Sequence, residues 1–195
     1  MVSTTIDFDL LLYNQIAIVK GSTTMLFIKG GSGSTYHGYN NKYLDIARTI
    51  NQKYGLTVAV SSNKLFSVID LKEELQSVFT ALNTHHQVLF AGVSSGAVAA
   101  IEQSPDIYDL QNILLINPPI TISLPKIKRS LEAKKEACFN FVFGSNDPTY
   151  RFLPLLDNVK SQSTINLKIV EGADHNFKGM EKEFKGLFIN FVENT

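Results

Sequence analysis

Residues 88–100 read VLFAGVSSGAVAA and contain the pattern Gly-x-Ser-x-Gly, with Ser94 at its centre. The residues before the pattern are apolar and of strand length, and those after it are rich in alanine, which favours a helix. A serine on a sharp turn between a strand and a helix has strained backbone angles, and the residues two positions away on each side come close together. Only small residues fit there, which accounts for Gly92 and Gly96. This segment therefore predicts a strand, a tight turn that carries Ser94, and a helix.

The rest of the chain alternates apolar runs of strand length with segments of helical period. Such alternation is typical of an α/β fold with a mostly parallel sheet. At the amino end, two strands joined by a tight turn at Asn14, and a third after residues 21–23, predict an antiparallel start. The predicted strands are 6–13, 15–20, 25–29, 56–60, 88–93, 113–116, 140–143 and 165–170.

Helical stripes separate most of these strands, and the helix before strand 88–93 has a capping box formed by Asp70 and Glu73. The chain has no internal repeat and no linker rich in proline, glycine or serine, so residues 1–195 are expected to form one domain. The predicted helices are 43–54, 71–82, 95–103, 127–137, 152–159 and 180–191.

Charge and composition exclude several classes of partner. Eighteen Lys and Arg residues balance 18 Asp and Glu residues, and without a basic block we expect no nucleic-acid partner. The longest uncharged stretch, 87–101, falls short of the ~18 apolar residues of a membrane span. A single cysteine, Cys138, excludes an internal disulfide and a multi-thiolate metal site. Asp7 and Asp9 in the first apolar stretch argue against a secretory signal, so we expect a cytoplasmic protein.

The turn at Ser94 resembles the nucleophile turn of the α/β-hydrolase fold family, in which Ser, Asp or Glu, and His follow in this chain order. The resemblance implies a mostly parallel, twisted sheet of about eight strands with helices on both faces. It also implies an acid after the next-but-one strand, where Asp147 lies, and a base after the last strand, where His175 lies. Ser94, Asp147 and His175 are therefore the candidate catalytic residues.

Each of these residues also has a plainer interpretation. The glycine-rich turn could simply let a helix pack on the sheet, and Asp147 before a proline is a common way to open a turn. The loop after the preceding strand, LLINPPI, offers no competing carboxylate. Among the other histidines, His37 lies in an early loop near the catalytic end and stays a second candidate. His85 and His86 precede a strand at the opposite end and are expected in solvent.

The resemblance further implies two backbone N–H donors that stabilise an oxyanion. One belongs to Ser95, the residue after the nucleophile, and the other to the loop Lys29-Gly30-Gly31-Ser32-Gly33, where glycines allow close approach to a substrate. We expect Gly31 to be this second donor, with Ser32 next. Many relatives have histidine before this glycine pair, whereas this chain has Lys29. The plainer interpretation of the loop is a flexible Gly-Ser turn.

Residues 118–138 leave room for one loop and one helix where many relatives insert a lid. We therefore expect no large lid and an open cleft for a small acyl or alcohol group. The alternative in which the partner subunit of a homodimer covers the cleft stays open. Tyr36, Tyr150 and Phe152 are candidates to line this cleft.

The expected function is a serine hydrolase that cleaves a small-molecule carboxylic ester or thioester through an acyl-enzyme on Ser94, with no cofactor and no metal. One alternative is a catalytically silent binding protein of the same fold. Another is a different α/β protein, flavodoxin-like or nucleotide-binding, that uses Gly-Gly-Ser-Gly-Ser as a phosphate loop. This loop lacks the Gly-Lys-Ser/Thr ending of a P-loop.

Overall fold

The computed structural model describes residues 9–11, 16–64, 70–85, 87–107, 110–159 and 164–195. The strands are β1 (Asp9–Leu11), β2 (Ile16–Val19), β3 (Thr24–Lys29), β4 (Thr57–Ser61), β5 (Gln87–Val93), β6 (Leu110–Ile116), β7 (Cys138–Gly144) and β8 (Thr164–Val170). The α-helices are α1 (Lys42–Tyr54), α2 (Leu71–Leu82), α3 (Ser95–Gln103), α4 (Ile120–Ala133) and α5 (Glu181–Glu193). Short 3₁₀ helices span Tyr39–Asn41, Ser104–Asp106 and Tyr150–Asn158.

The eight strands form one sheet in the order β1-β2-β4-β3-β5-β6-β7-β8. β2 pairs antiparallel with both β1 and β4, and every pair from β4 onward is parallel. The expected mostly parallel sheet of about eight strands is confirmed, and so is the antiparallel start between β1 and β2. β3 was expected to extend that start, but it lies between two parallel neighbours, β4 and β5. The predicted turn at Asn14 and the outer parts of strand 6–13 lie outside the described residues.

Strand β3 illustrates why helices cover both faces of the sheet. Successive side chains of a strand point to opposite faces; Met25 and Phe27 join one buried cluster, while Leu26 and Ile28 join another. The first cluster includes side chains of α2, α3 and α4, and the second includes side chains of α1 and α5. The prediction of helices on both faces is therefore confirmed.

Helix α4 differs most from its sequence prediction, because it spans Ile120–Ala133 rather than 127–137. Its buried side carries Ser123 and Ser130 between Ile120, Ile127 and Leu131. Ser123 Oγ donates to Pro119 O at 2.7 Å, and the Ser130 hydroxyl bonds that of Ser104. Hydrogen bonds thus satisfy both buried hydroxyls. The helix begins before Pro125, which lacks an N–H donor and usually ends a helix, and this is why the predicted start at 127 was too late. The predicted helix 152–159 is instead the 3₁₀ helix Tyr150–Asn158.

The connection between β6 and β7 consists of α4 and short flanking segments. It contains no large lid, as expected. No helix in the described part of the chain combines the length and the apolar character needed to cross a membrane.

Candidate active site

Ser94 lies on the turn between β5 and α3, with φ 55° and ψ −119°. This region is costly for any residue with a side chain, and such strain persists only where the surroundings enforce it. A Cβ atom at Gly92 would lie 2.6 Å from Cα of Ala97, and one at Gly96 would lie 2.3 Å from the carbonyl oxygen of Lys29. Neither contact is tolerable, so both glycines are needed for the turn to pack against α3 and β3.

His175 lies in the loop between β8 and α5, and its ring links the other two candidate residues. Its Nε2 is 3.0 Å from Ser94 Oγ, and its Nδ1 bonds Asp147 Oδ2. With the proton on Nδ1, the ring donates to the carboxylate, and Nε2 accepts the hydrogen bond from the serine hydroxyl. His175 is 81 positions from Ser94 and 28 positions from Asp147 in the chain, yet the three residues form one hydrogen-bonded series.

The carboxylate of Asp147 follows β7 and has no solvent-exposed surface. Burial alone would raise its pKa, but hydrogen bonds from His175 and Thr149 outweigh burial and hold the pKa below its usual 3.8. The Thr149 backbone N–H donates to Asp147 Oδ1 at 2.6 Å. Asp147 is therefore a fixed negative charge beside the imidazole. Thr149 was not singled out from the sequence, although it stands two residues after the predicted acid in an Asp-Pro-Thr turn.

The hydrogen bond to Asp147 raises the pKa of His175 above its usual 6.5, against the opposing effect of burial. The charge of Asp174 acts in the same direction, and the nearby Lys42 ammonium opposes it. The imidazole side chain remains 39% exposed. It can therefore exchange protons with solvent or with a bound group while the Nδ1 side stays fixed.

Asn117 fixes the loop that carries His175, and sequence reasoning missed it. This residue follows β6 and is fully buried. Its Nδ2 donates to the carbonyl oxygens of Asp174 at 3.3 Å and His175 at 3.1 Å, while its Oδ1 accepts from the backbone N–H of Gly144 at 2.9 Å. A polar residue directly after a buried parallel strand was the signal that could have found it, in the same loop that was searched only for carboxylates.

A cavity of about 420 Å³ opens beside Ser94 and His175. Its lining includes four consecutive residues, Gly31, Ser32, Gly33 and Ser34. A Cβ at Gly31 would lie 3.2 Å from Ser94 Cβ, so this backbone approaches the serine closely. Ser95 is the first residue of α3, where backbone N–H groups lack helical partners.

The aromatic side chains of this cavity differ from those expected. Its described lining contains Tyr39 and Tyr43 rather than Tyr36, Tyr150 and Phe152. Lys42 also lines it; burial lowers the pKa of this ammonium, while the charges of Asp174 and Glu181 oppose the shift.

The structure does not bring His37 to Ser94. The ring of His37 is in an exposed loop, where it bonds Asn41 Oδ1 at 3.0 Å and packs against the Tyr36 ring with centroids 4.4 Å apart. His85 is exposed and packs against Phe79, and His86 lies outside the described residues.

Within the described ranges, no group of three or more His, Cys, Asp or Glu side chains is arranged to hold a metal ion. A second cavity, of about 320 Å³, lies between the sheet and α5 near the start of β7. Asn112, Cys138 and Asn140 contribute to its lining, and none of the predicted site residues does.

Solved structures of similar fold cover nearly the entire chain. An α/β serine hydrolase homologue from Coxiella burnetii superposes with a TM-score of 0.67 at 15% identity, covering 97% of this chain and 98% of that protein. An α/β serine hydrolase without a lid from Xanthomonas campestris gives 0.66 at 15% identity, with 92% and 88% covered. Est1E from Butyrivibrio proteoclasticus, in its structure with bound ferulic acid, gives 0.66 at 10% identity, with 97% of each chain covered.

No protein-family model matches the sequence, and no curated protein matches it either. At 10% to 15% sequence identity, the likeness to these structures shows only that the backbone follows a similar path. The mostly parallel sheet with helices on both faces agrees with this likeness, and so does the absence of a large lid between β6 and β7. The chain therefore has the α/β-hydrolase fold.

Proposed function

We propose that this protein is a serine hydrolase that cleaves a carboxylic ester or thioester by acyl transfer through Ser94. The observation that carries the proposal is the hydrogen-bonded series from Ser94 Oγ to His175 Nε2 at 3.0 Å and from His175 Nδ1 to the buried Asp147 carboxylate. A hydroxyl, an imidazole and a carboxylate in this order form the arrangement that activates serine for attack on a carbonyl carbon.

The first step transfers the hydroxyl proton of Ser94 to His175 Nε2 while Oγ bonds to the carbonyl carbon of the substrate. Asp147 keeps the proton on Nδ1 and stabilises the imidazolium that forms. The imidazolium then gives its proton to the departing alcohol or thiol, which leaves the acyl group on Ser94. In the second half, His175 takes a proton from water, the resulting nucleophile attacks the acyl carbon, and Ser94 is released with its proton restored.

The negative charge that develops on the carbonyl oxygen needs donors that are already in place. We assign this role to the backbone N–H of Ser95, at the start of α3, and to that of Gly31, with Ser32 as the alternative to Gly31. The approach of Gly31 to Ser94 supports the assignment, as does the position of both loop residues at the cavity. The positive end of the α3 dipole favours negative charge at the same place.

The cavity suits a substrate with a small acyl or alcohol group. Its volume is about 420 Å³, and the segment between β6 and β7 adds no lid above it. Est1E, one of the neighbours in fold, binds ferulic acid. Aromatic acyl esters therefore belong in the substrate panel beside short aliphatic ones.

The test is hydrolysis of a panel of acetyl, butyryl and feruloyl esters and of the matching thioesters, followed for the wild type, Ser94→Ala and His175→Ala. We expect turnover by the wild type and a fall of about 10⁴-fold or more in each variant. Turnover of Ser94→Ala near the wild-type value would overturn the proposal. A folded wild type that hydrolyses none of the panel but is thermally stabilised by one of its acids would favour the silent binding protein instead.

A further inference from the structure

The end of β4 and the two residues after it, 61–63, lie against the loop that supplies Gly31. Asn63 is 2% exposed, and its Nδ2 donates two hydrogen bonds, to Gly30 O at 3.1 Å and to Ser95 Oγ at 3.0 Å. Its backbone N–H donates to Ser34 O at 2.8 Å. One buried side chain thus bonds both to the glycine loop and to the residue that follows Ser94.

The bond to Gly30 O fixes more than that oxygen. Gly30 C=O and Gly31 N–H belong to one planar trans peptide group, in which the oxygen and the hydrogen point in opposite directions. Holding the oxygen towards Asn63 therefore directs the Gly31 N–H away from Asn63. The second bond holds the Ser95 side chain, and so the first residue of α3, to the same amide nitrogen. Asn63 thereby sets the relative placement of the two N–H groups assigned to the oxyanion.

Neighbouring contacts keep Asn63 itself in place. Lys29 Nζ donates to Ser62 O at 2.7 Å, and the backbone N–H of Tyr36 donates to Ser62 Oγ at 3.0 Å. The segment is thus attached to the glycine loop on both sides of Gly31. A positioning group works only when its own orientation is fixed in this way.

We propose that Asn63 is a positioning residue of the hydrolase: its side-chain amide aligns the Gly31 and Ser95 N–H groups with each other as an oxyanion site. This inference rests on the proposed function. Asn63 touches neither Ser94 nor His175 in the hydrogen-bonded series, so its loss should weaken stabilisation of the oxyanion and leave the base unchanged.

The experiment compares Asn63→Ala and Asn63→Asp with the wild type on the best ester of the panel. The Asp variant keeps the shape of Asn but replaces its N–H donors with acceptors and adds a negative charge, whereas the Ala variant removes the donors without adding a charge. A loss of kcat in both variants therefore points to the lost donors. We expect kcat to fall by about 10²-fold, the size of effect seen when one oxyanion donor is lost, with KM within about threefold. The acid limb of the pH profile should not move, because the contact between His175 and Asp147 is intact.

Asn51→Ala is the matched control. Asn51 Nδ2 also donates to two carbonyl oxygens, those of Lys20 at 2.9 Å and Leu56 at 2.8 Å, but it stands near the far end of α1. Its loss should lower the melting temperature and leave kcat unchanged. Ser95→Ala removes one of the two Asn63 bonds and retains the N–H, so it remains informative if the Asn63 variants fold poorly. We expect a smaller fall in kcat for that variant.

A trifluoromethyl ketone inhibitor forms a tetrahedral oxyanion on serine. Its inhibition constant would not change if the substitutions only lowered the stability of the fold. Its inhibition constant should rise by the same factor as kcat/KM falls across the Asn63 variants. A kcat within threefold of wild type in a folded Asn63→Ala or Ser95→Ala protein would overturn the inference while leaving the proposed function standing. A wild type with no hydrolysis would overturn both.

Discussion

The buried ion pair between Lys29 and Glu74 should dominate the stability of the region around the glycine loop. Lys29 Nζ is 2.6 Å from Glu74 Oε1, and the two side chains are 2% and 13% exposed. The ammonium also donates to Ser61 Oγ at 2.9 Å and to Ser62 O at 2.7 Å, so all three of its N–H groups are paired. Glu74→Gln keeps an amide oxygen near Lys29 but removes the compensating charge.

Breaking a buried pair by removing one partner typically costs 3–5 kcal/mol, because an uncompensated charge is left behind. Since Glu74 is not completely buried, we expect the lower end, about 3 kcal/mol, or a fall in melting temperature of roughly 6–12 °C for a domain of this size. Urea denaturation at pH 7 measures the free energy of unfolding directly. The double variant Lys29→Met with Glu74→Leu should recover most of the loss, because apolar side chains of similar volume often replace such a pair without cost.

Glu102→Gln is the matched control for this substitution. Glu102 Oε2 lies 2.8 Å from Lys126 Nζ, but these side chains are 48% and 42% exposed. Solvent screening limits such a pair to about 1 kcal/mol or less. A Glu74→Gln protein no less stable than the Glu102→Gln protein would refute the reasoning that burial makes the Lys29 pair strong.

Because the base must be neutral, wild-type kcat/KM should rise with pH through a pKa above 6.5; a profile without an acid limb would contradict this. The raised pKa of His175 stabilises the folded state below pH 6.5, and this contribution is lost as the pH rises through the pKa of the folded protein. The lowered pKa of Asp147 stabilises the folded state above pH 3.8, and this contribution is lost as the pH falls through the pKa of the folded protein. Thermal melts of wild type and Asp147→Asn should therefore differ most between those two values. A Cβ at Gly96 would meet Lys29 O at 2.3 Å, so Gly96→Ala should lower the free energy of unfolding by about 3 kcal/mol, as measured by urea denaturation. The control is Gly186→Ala in α5, where a Cβ would have no neighbour within 4 Å, so this substitution should be neutral or stabilising.

The residues around Ser94 could be predicted from sequence because their constraint is local. Gly92 and Gly96 are needed by contacts within a few residues of the turn or with the adjacent strand, and the apolar run before them identifies the strand. Asp147 and His175 were found through the chain order that the resemblance implied. Both stand in the loops that follow parallel strands, Asp147 after β7 and His175 after β8, and the carboxyl ends of parallel strands meet at one edge of the sheet.

The supporting contacts could not be predicted in this way. Asn63 bonds residues 32 and 33 positions away, and Lys29 bonds a carboxylate 45 positions away. No periodicity or spacing reports such pairs, since they depend on how β3, β4 and α2 come together. The start of α4 was missed for a different reason: the helix runs through Pro125, a residue that usually ends a helix, and the predicted helix began only after it.

The central claim is that Ser94 is an activated nucleophile, and intact-mass analysis after treatment with a reactive fluorophosphonate tests it most directly. Wild type, Ser94→Ala and His175→Ala are treated side by side, with folding of each checked by circular dichroism. We expect one adduct on the wild type and none on either variant, because attack needs both the hydroxyl and the base. A folded wild type without an adduct, or an adduct that persists in Ser94→Ala, would contradict the claim.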